Sequence, residues 1–222
     1  MPDDLIQRLE RAPLVADGAM GTMLYEKGVY INKCYDEITL SAPELVRDVH
    51  RAYVQAGSEL IQTNTFGANA VKLARHGLEE QADAINREGA RIAREEAGTS
   101  LYVGGSIGPL GIRIEPWGPT SVEEAREHFH RQARALREGG VDVFLLETFV
   151  DLSEVHAALQ GVRDAAPEVP VVVQMTVDLT ERSLYGTTPE HFGAKLDEWG
   201  ADVIGLNCGV GPSAAQDVLE KL

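Results

Sequence analysis

Cysteine is scarce in this chain: Cys34 and Cys208 are the only two in 222 residues. No C-x-x-C, H-x-x-x-H or H-E-x-x-H pattern occurs, so none of the common local zinc motifs is present. Positive charge is also short. Lys and Arg total 20 against 35 Asp and Glu, a formal net charge of −15. Nucleic acids and anionic membrane surfaces need a basic partner, so neither is expected to bind. No apolar run is long enough to span a bilayer. Met1-Pro2-Asp3-Asp4 is acidic and no apolar stretch follows it, so no secretory signal is expected. A cytoplasmic chain with reduced thiols rather than a disulfide is therefore expected. The Rossmann glycine fingerprint and the P-loop lysine motif are missing too. There is no low-complexity segment and no interdomain linker, which leaves one large domain over 1–222.

What the chain does have is a repeat. Residues 57–65 read GSELIQTNT, residues 140–148 GVDVFLLET and residues 200–208 GADVIGLNC. In each, a Gly ends a helical pattern, an acidic residue stands two positions later, and an apolar run leads to a polar tip. The alignment puts Asn64, Glu147 and Asn207 at one position and Thr65, Thr148 and Cys208 at the next. Strand-like runs occur at Leu14–Asp17, Leu60–Thr65, Leu101–Gly105, Val143–Thr148, Val171–Thr176 and Val203–Cys208. They are short, rich in Val, Ile and Leu, and do not alternate, as parallel strands buried on both faces require.

Amphipathic helical patterns lie between these runs. Ser41-x-x-Glu44, Thr120-x-x-Glu123 and Asp151-x-x-Glu154 resemble capping boxes, and Thr188-Pro189 an N-cap with Pro at the first helical position. Gly57, Gly140 and Gly200 fit helix C-caps. The predicted fold is α/β: a (β/α)8 TIM barrel with about six β/α units in this chain. Active sites of such barrels lie at the C-terminal ends of the strands, with Asn64, Glu147 and Asn207 predicted at matching heights there.

Several residues at those ends carry chemistry. Asp17-Gly18-Ala19-Met20-Gly21-Thr22 closes the first strand; its glycines let backbone N–H groups face a ligand, and Asp17 suits an ammonium group. The same residues suit an ordinary tight turn. Gly104–Gly111 reads as close backbone approach to a ligand or as a plain flexible loop. Glu147 suits a cationic ligand or a base role, or else a structural ion pair. Cys208 is a thiol at the barrel mouth, apt for zinc or nucleophilic attack, though a lone Cys on a strand also serves as a small hydrophobe. Cys34 reads as structural, and His128 and His130, two apart on a helix, do not face each other.

DGAMGT at 17–22, TNTFGAN at 63–69, GGSIGPLG at 104–111, LLET at 145–148 and GLNCG at 205–209 together resemble the homocysteine S-methyltransferase family. The stretch from Asn32 to Glu37 is most similar to bacterial members fused to a methylenetetrahydrofolate reductase, and the homocysteine domain of cobalamin-dependent methionine synthase is similar too. The resemblance implies transfer of a methyl group to the thiol of homocysteine, giving methionine, at a zinc held by three cysteines. Cys208 matches one of them, and the other two are expected beyond Leu222, so this polypeptide alone is expected to be inactive. Cys208 and Glu147 are the implied catalytic residues, and Asp17, Gly18, Glu147 and Asn207 the implied substrate contacts. The methyl donor stays open among methylcobalamin, methyltetrahydrofolate through a cobalamin domain, S-methylmethionine and betaine, and a fused or separate folate, cobalamin or reductase domain is an implied partner. Two other readings remain: a non-catalytic half-barrel that binds an amino acid or docks to another methyl-transfer domain, and a different barrel lyase or hydrolase using Glu147 as base.

Overall fold

Apolar runs that bury both faces need helices on both sides or a closed interior, and a parallel sheet provides this. The computed structural model describes residues 4–222. After helix α1 (Leu5–Arg11) come α2 (Met20–Glu26), α3 (Ile38–Ser41) and α4 (Pro43–Ala56), then β1 (Leu60–Gln62). Helices α5 (Ala70–Leu73) and α6 (Ala82–Ala97) lead to β2 (Tyr102–Ile107), and α7 (Val122–Gly139) to β3 (Val143–Phe149). Helix α8 (Leu152–Ala165), β4 (Val171–Met175), α9 (Pro189–Glu198), β5 (Val203–Leu206) and α10 (Pro212–Leu219) complete the order. The strands lie in the order β1-β2-β3-β4-β5, every neighbouring pair parallel. This is the α/β architecture expected, a partial barrel wound in sequence order.

The predicted first strand, Leu14–Asp17, is not a strand of the sheet. It touches β1 through a single bridge, Ala16 to Leu60. Pro13 supplies no N–H immediately before it and the Gly18 turn ends it, so no ladder extends in either direction. The other five predicted strands are all present. The second is shorter than expected because the chain turns at its tip, where Thr65 N donates to Thr63 O at 2.9 Å.

Alternate residues divide between two cores. Ile61, Val103, Phe144, Leu146, Val171 and Val173 face the helices and are fully buried. Leu60, Tyr102, Val143 and Leu145 face the interior and meet Leu5 and Leu9 of α1. That helix therefore covers the ends where the strands begin and leaves the opposite mouth open.

The helix ends show how sequence terms compete. Gly57 and Gly140 cap α4 and α7 at φ 100° and 98°, a left-handed conformation that glycine adopts without cost. Thr188 caps α9 with Pro189 behind it. Ser41 is not the cap expected of it: it closes α3, and Pro43 starts α4 after Ala42. Ser121 rather than Thr120 caps α7, accepting from Glu124 N at 3.1 Å.

His50 is fully buried on α4, beside Val46 and Val49, and neither ring nitrogen has a partner. Burial, with the nearby Arg47 charge, pushes its pKa down to about 4. The unfolded chain then binds a proton between pH 4 and 6.5 that the folded chain refuses, so stability falls as pH drops through that window. His50→Leu is expected to raise stability by about 1–3 kcal/mol and to flatten this dependence, because unpartnered buried polar atoms carry that cost. Urea midpoints across the window test it; a lower midpoint with an unchanged slope would count against it.

Candidate active site

The loops that follow the strands converge on a cleft of about 700 Å³ at the open mouth, within the range usual for small-molecule sites. Its walls include Asp17, Gly18, Thr22, Glu147, Thr148 and Cys208.

Asp17 is placed by backbone bonds. Its N–H donates to Leu60 O at 2.9 Å, and its Oδ2 accepts from Gln62 N at 2.8 Å. Its Oδ1 is buried without a partner. Gly18 follows because space is short: a Cβ there would lie 2.9 Å from Tyr53 Oη, which braces the turn by donating to Ala19 O at 3.0 Å.

Glu147 projects into the cleft from β3. Its Oε1 accepts from Ser106 Oγ of β2 at 2.5 Å, and its Oε2 from Asn207 Nδ2 at 3.2 Å. Asn207 also accepts from Thr148 N through Oδ1 at 2.7 Å. Its Nδ2 reaches Thr148 Oγ1 at 2.8 Å and Cys208 Sγ at 3.6 Å. One amide thus ties together the tips of β3 and β5.

Those two tips share a backbone signature. Thr148 has φ 64° and Cys208 φ 56°, the left-handed region that β-branched residues avoid. The β3–β4 register shifts between Leu146 and Phe149, a bulge that absorbs the turn at Thr148. Its effect is to bring Thr148 Oγ1 within 3.9 Å of Cys208 Sγ. Strained backbone of this kind concentrates at functional sites, and here the Asn207 bonds hold it.

Three carboxylates line this cleft, Asp17, Asp36 and Glu147, and none has a Lys or Arg at ion-pair distance among the described residues. Burial raises the Asp17 pKa to about 7, and the Glu147 charge adds to it. Burial also raises that of Glu147, against the Ser106 bond and the Lys72 charge. The folded chain holds the Asp17 proton up to about pH 7, whereas the unfolded chain releases it near 3.8. Asp17 therefore costs stability as pH rises between those values, a cost that a bound cation would offset.

The predicted residues Asp17, Gly18, Glu147 and Cys208 all line the cleft, and Asn207 stands behind them as a tie. Asn64 is at the mouth too, but its side chain is engaged differently from those of Glu147 and Asn207. Its amide donates to Tyr35 O at 2.7 Å and lies 3.2 Å from Thr39 Oγ1, because the segment 35–39 folds over the tip of β1. Ser106 and Thr148 also line the cleft; they fall within the glycine-rich and repeat segments, but their residue types alone give no signal of a site. Cys34 lies beside Asp36 in a neighbouring cleft, apart from Cys208.

Cys208 is a free, exposed thiol in the lining of the cleft. Among the described residues no three His, Cys, Asp or Glu side chains stand together as a metal site. One thiolate with neighbouring hydroxyl and amide groups does not make a zinc centre, so these residues by themselves do not fit that ion.

A family profile for homocysteine S-methyltransferase matches residues 14–222. The chain is 32% identical over 235 residues to a methionine synthase of Mycobacterium leprae and 31% identical to one of Mycobacterium tuberculosis, with 99% of the chain aligned in each case. It spans only 19% and 20% of the lengths of these relatives. Among solved structures, the metallated form of the homocysteine methyltransferase MmuM from Escherichia coli superposes with a TM-score of 0.84 at 26% identity. That match covers 98% of this chain and 82% of the other. With the profile running from residue 14 to 222 and the motifs converging on one cleft, this chain belongs to the homocysteine S-methyltransferase family.

Proposed function

We propose that residues 1–222 form a homocysteine-binding domain whose cleft presents the thiol of homocysteine to a methyl donor, giving methionine. The observation that supports this reading is the unpartnered, buried Oδ1 of Asp17, in one cleft with Glu147 and the exposed Cys208. Two carboxylates short of a cation suit the substrate ammonium, and backbone N–H groups of the 17–22 turn suit its carboxylate. The sulfur then lies toward Cys208. The sulfur lone pair attacks the methyl carbon, the bond from methyl to donor breaks with its electrons going to the donor, and the thiol proton is released. In this scheme Glu147 and Asp17 hold the amino-acid end, and Asn207 keeps Glu147, Thr148 and Cys208 in register.

Zinc enters this proposal only through Cys208, as the one ligand these residues contribute. The 222-residue polypeptide is accordingly expected to hold no stoichiometric zinc and to show negligible turnover by itself. Metal analysis of the purified chain beside a longer polypeptide carrying the same residues tests this. One tightly held zinc per 222-residue chain, with homocysteine-dependent turnover, would mean the ligands are misassigned.

The donor is proposed to be methylcobalamin or a methyltetrahydrofolate-derived group, delivered by a fused or separate domain in the cytoplasm. The loops at the mouth expose Tyr30, Ile31, Trp117, Leu179 and Leu184, between 55% and 85% accessible. Exposed apolar side chains on such loops suit a partner surface. Methionine formation from homocysteine, assayed with each donor in turn, tests the reading; no methionine with any donor from a polypeptide that holds its metal would overturn it.

A further inference from the structure

A second cleft, of about 280 Å³, adjoins the first and shares Tyr35, Asp36 and Gly67 with it. We propose that it is a binding site for a small multivalent oxyanion, a phosphate or a polycarboxylate, held by Lys33, Lys72 and Arg75.

Most Lys and Arg side chains are neutralised in ion pairs, as in Arg47 with Glu95, Arg126 with Asp164 and Arg163 with Asp202. Lys33, Lys72 and Arg75 have no carboxylate at salt-bridge distance among the described residues, yet all three line this one cleft, with His76 beside them. In a chain of net charge −15 such a gathering is not a matter of supply. Carboxylates are plentiful, yet among the described residues none lies at salt-bridge distance from these groups.

Lys72 makes the point most sharply. It is largely shielded from water, and its Nζ lies over the Phe66 ring, 4.4 Å from the centroid. Burial pushes its pKa down against the opposing charges of Asp36 and Glu154. A cation desolvated without a contacting anion is unfavourable unless something else supplies the charge. Asp36, the carboxylate in the wall, is engaged elsewhere: its Oδ1 accepts from Gly67 N at 2.8 Å and it holds the loop at the tip of β1. Arg75 is oriented by donating to Gly111 O at 2.6 Å, which leaves the rest of its guanidinium fork for a ligand. A rigid fork, a partly buried ammonium and a third, exposed ammonium match a compact group with several charged oxygens.

This site stands independently of the methyl-transfer reading, since an anion would bind here whatever reaction the larger cleft supports. The test is calorimetric titration of the protein with inorganic phosphate and, separately, with citrate, at constant ionic strength. Saturable binding of one anion per chain is expected for at least one of the two. Phosphate alone would assign a phosphoryl-bearing ligand, and citrate alone a carboxylate-bearing one. Lys72→Met and Arg75→Gln are each expected to weaken binding by about tenfold, as loss of a charge-assisted bond does. Lys72→Arg should retain it, and Arg182→Gln, an unpaired cation outside this cleft, should not change it. Should Lys72→Met fail to fold, Arg75→Gln and Lys72→Arg carry the test. No saturable binding of either anion, or binding that Arg182→Gln weakens as much as Arg75→Gln, would overturn the proposal.

Discussion

In a longer polypeptide that holds its metal, Asn207→Ala is expected to lower homocysteine-dependent turnover by about 10–100-fold, the usual cost of removing a group that orients a reactive side chain. The variant frees Glu147 Oε2, Thr148 Oγ1 and Cys208 Sγ at once, and it strips Thr148 N of its acceptor. Thr148 and Cys208 both sit at positive φ, so the strain they hold has nothing left to oppose it. Stability should fall as well, by about 1–3 kcal/mol, if the Thr148 N–H stays buried and unpaired. Separate measurement of homocysteine affinity, turnover and urea midpoint distinguishes the two effects. A lower midpoint with unchanged affinity and turnover would reduce Asn207 to a structural tie and remove it from the site.

Glu147→Gln carries the second large effect. Glutamine keeps the size of the side chain and an oxygen for Ser106 Oγ, but it removes the charge. A charge-assisted hydrogen bond contributes about 1.5–3 kcal/mol, so homocysteine affinity should fall roughly 10- to 150-fold. Zinc content of a metal-holding polypeptide should not change, because Glu147 touches Cys208 only through Asn207. Asp17 adds a pH signature. With its pKa raised to about 7, it is largely neutral at pH 6 and largely ionised at pH 8, so affinity for the ammonium should rise across that interval. Asp17→Asn should flatten the rise. Unchanged affinity in Glu147→Gln, or zinc lost along with the substrate, would contradict the assignment.

Much of this site is legible in the sequence because a barrel repeats its own geometry. The offset from Gly140 to Glu147 equals that from Gly200 to Asn207, and the structure joins those two side chains directly. Their successors, Thr148 and Cys208, share a left-handed backbone and lie 3.9 Å apart. The first copy of the repeat escapes the rule because its surroundings differ. Asn64 stands at the equivalent position, but the long segment before α4 folds over the tip of β1 and captures its amide. That contact joins residues far apart in the chain, and no local pattern encodes it.

Capping shows the same limit at shorter range. Asp151 caps α8 as its sequence suggests, with Ser153 N donating to it at 2.8 Å. The expected capping-box partner, Glu154, turns away and accepts from Leu110 N at 2.7 Å in the glycine-rich loop. A tertiary bond there wins over a local one. Leu14–Asp17 reads as a strand and extends like one, yet pairing depends on a neighbour and on Pro13, so only one bridge forms. The unpaired cations are the feature least visible in sequence. A net charge of −15 gives no hint that Lys33, Lys72 and Arg75 would be left facing one small cleft.

The central claim is that the cleft at the strand tips receives homocysteine by its amino-acid end, with the sulfur toward Cys208. A crystal structure with L-homocysteine bound measures this directly. The account predicts the ammonium nitrogen within hydrogen-bond reach of the Asp17 or Glu147 carboxylate, about 2.7–3.2 Å, and the sulfur on the Cys208 side of the cleft. A homocysteine seated outside this cleft, or bound with its ammonium toward Cys208 and its thiol toward Asp17, would contradict it.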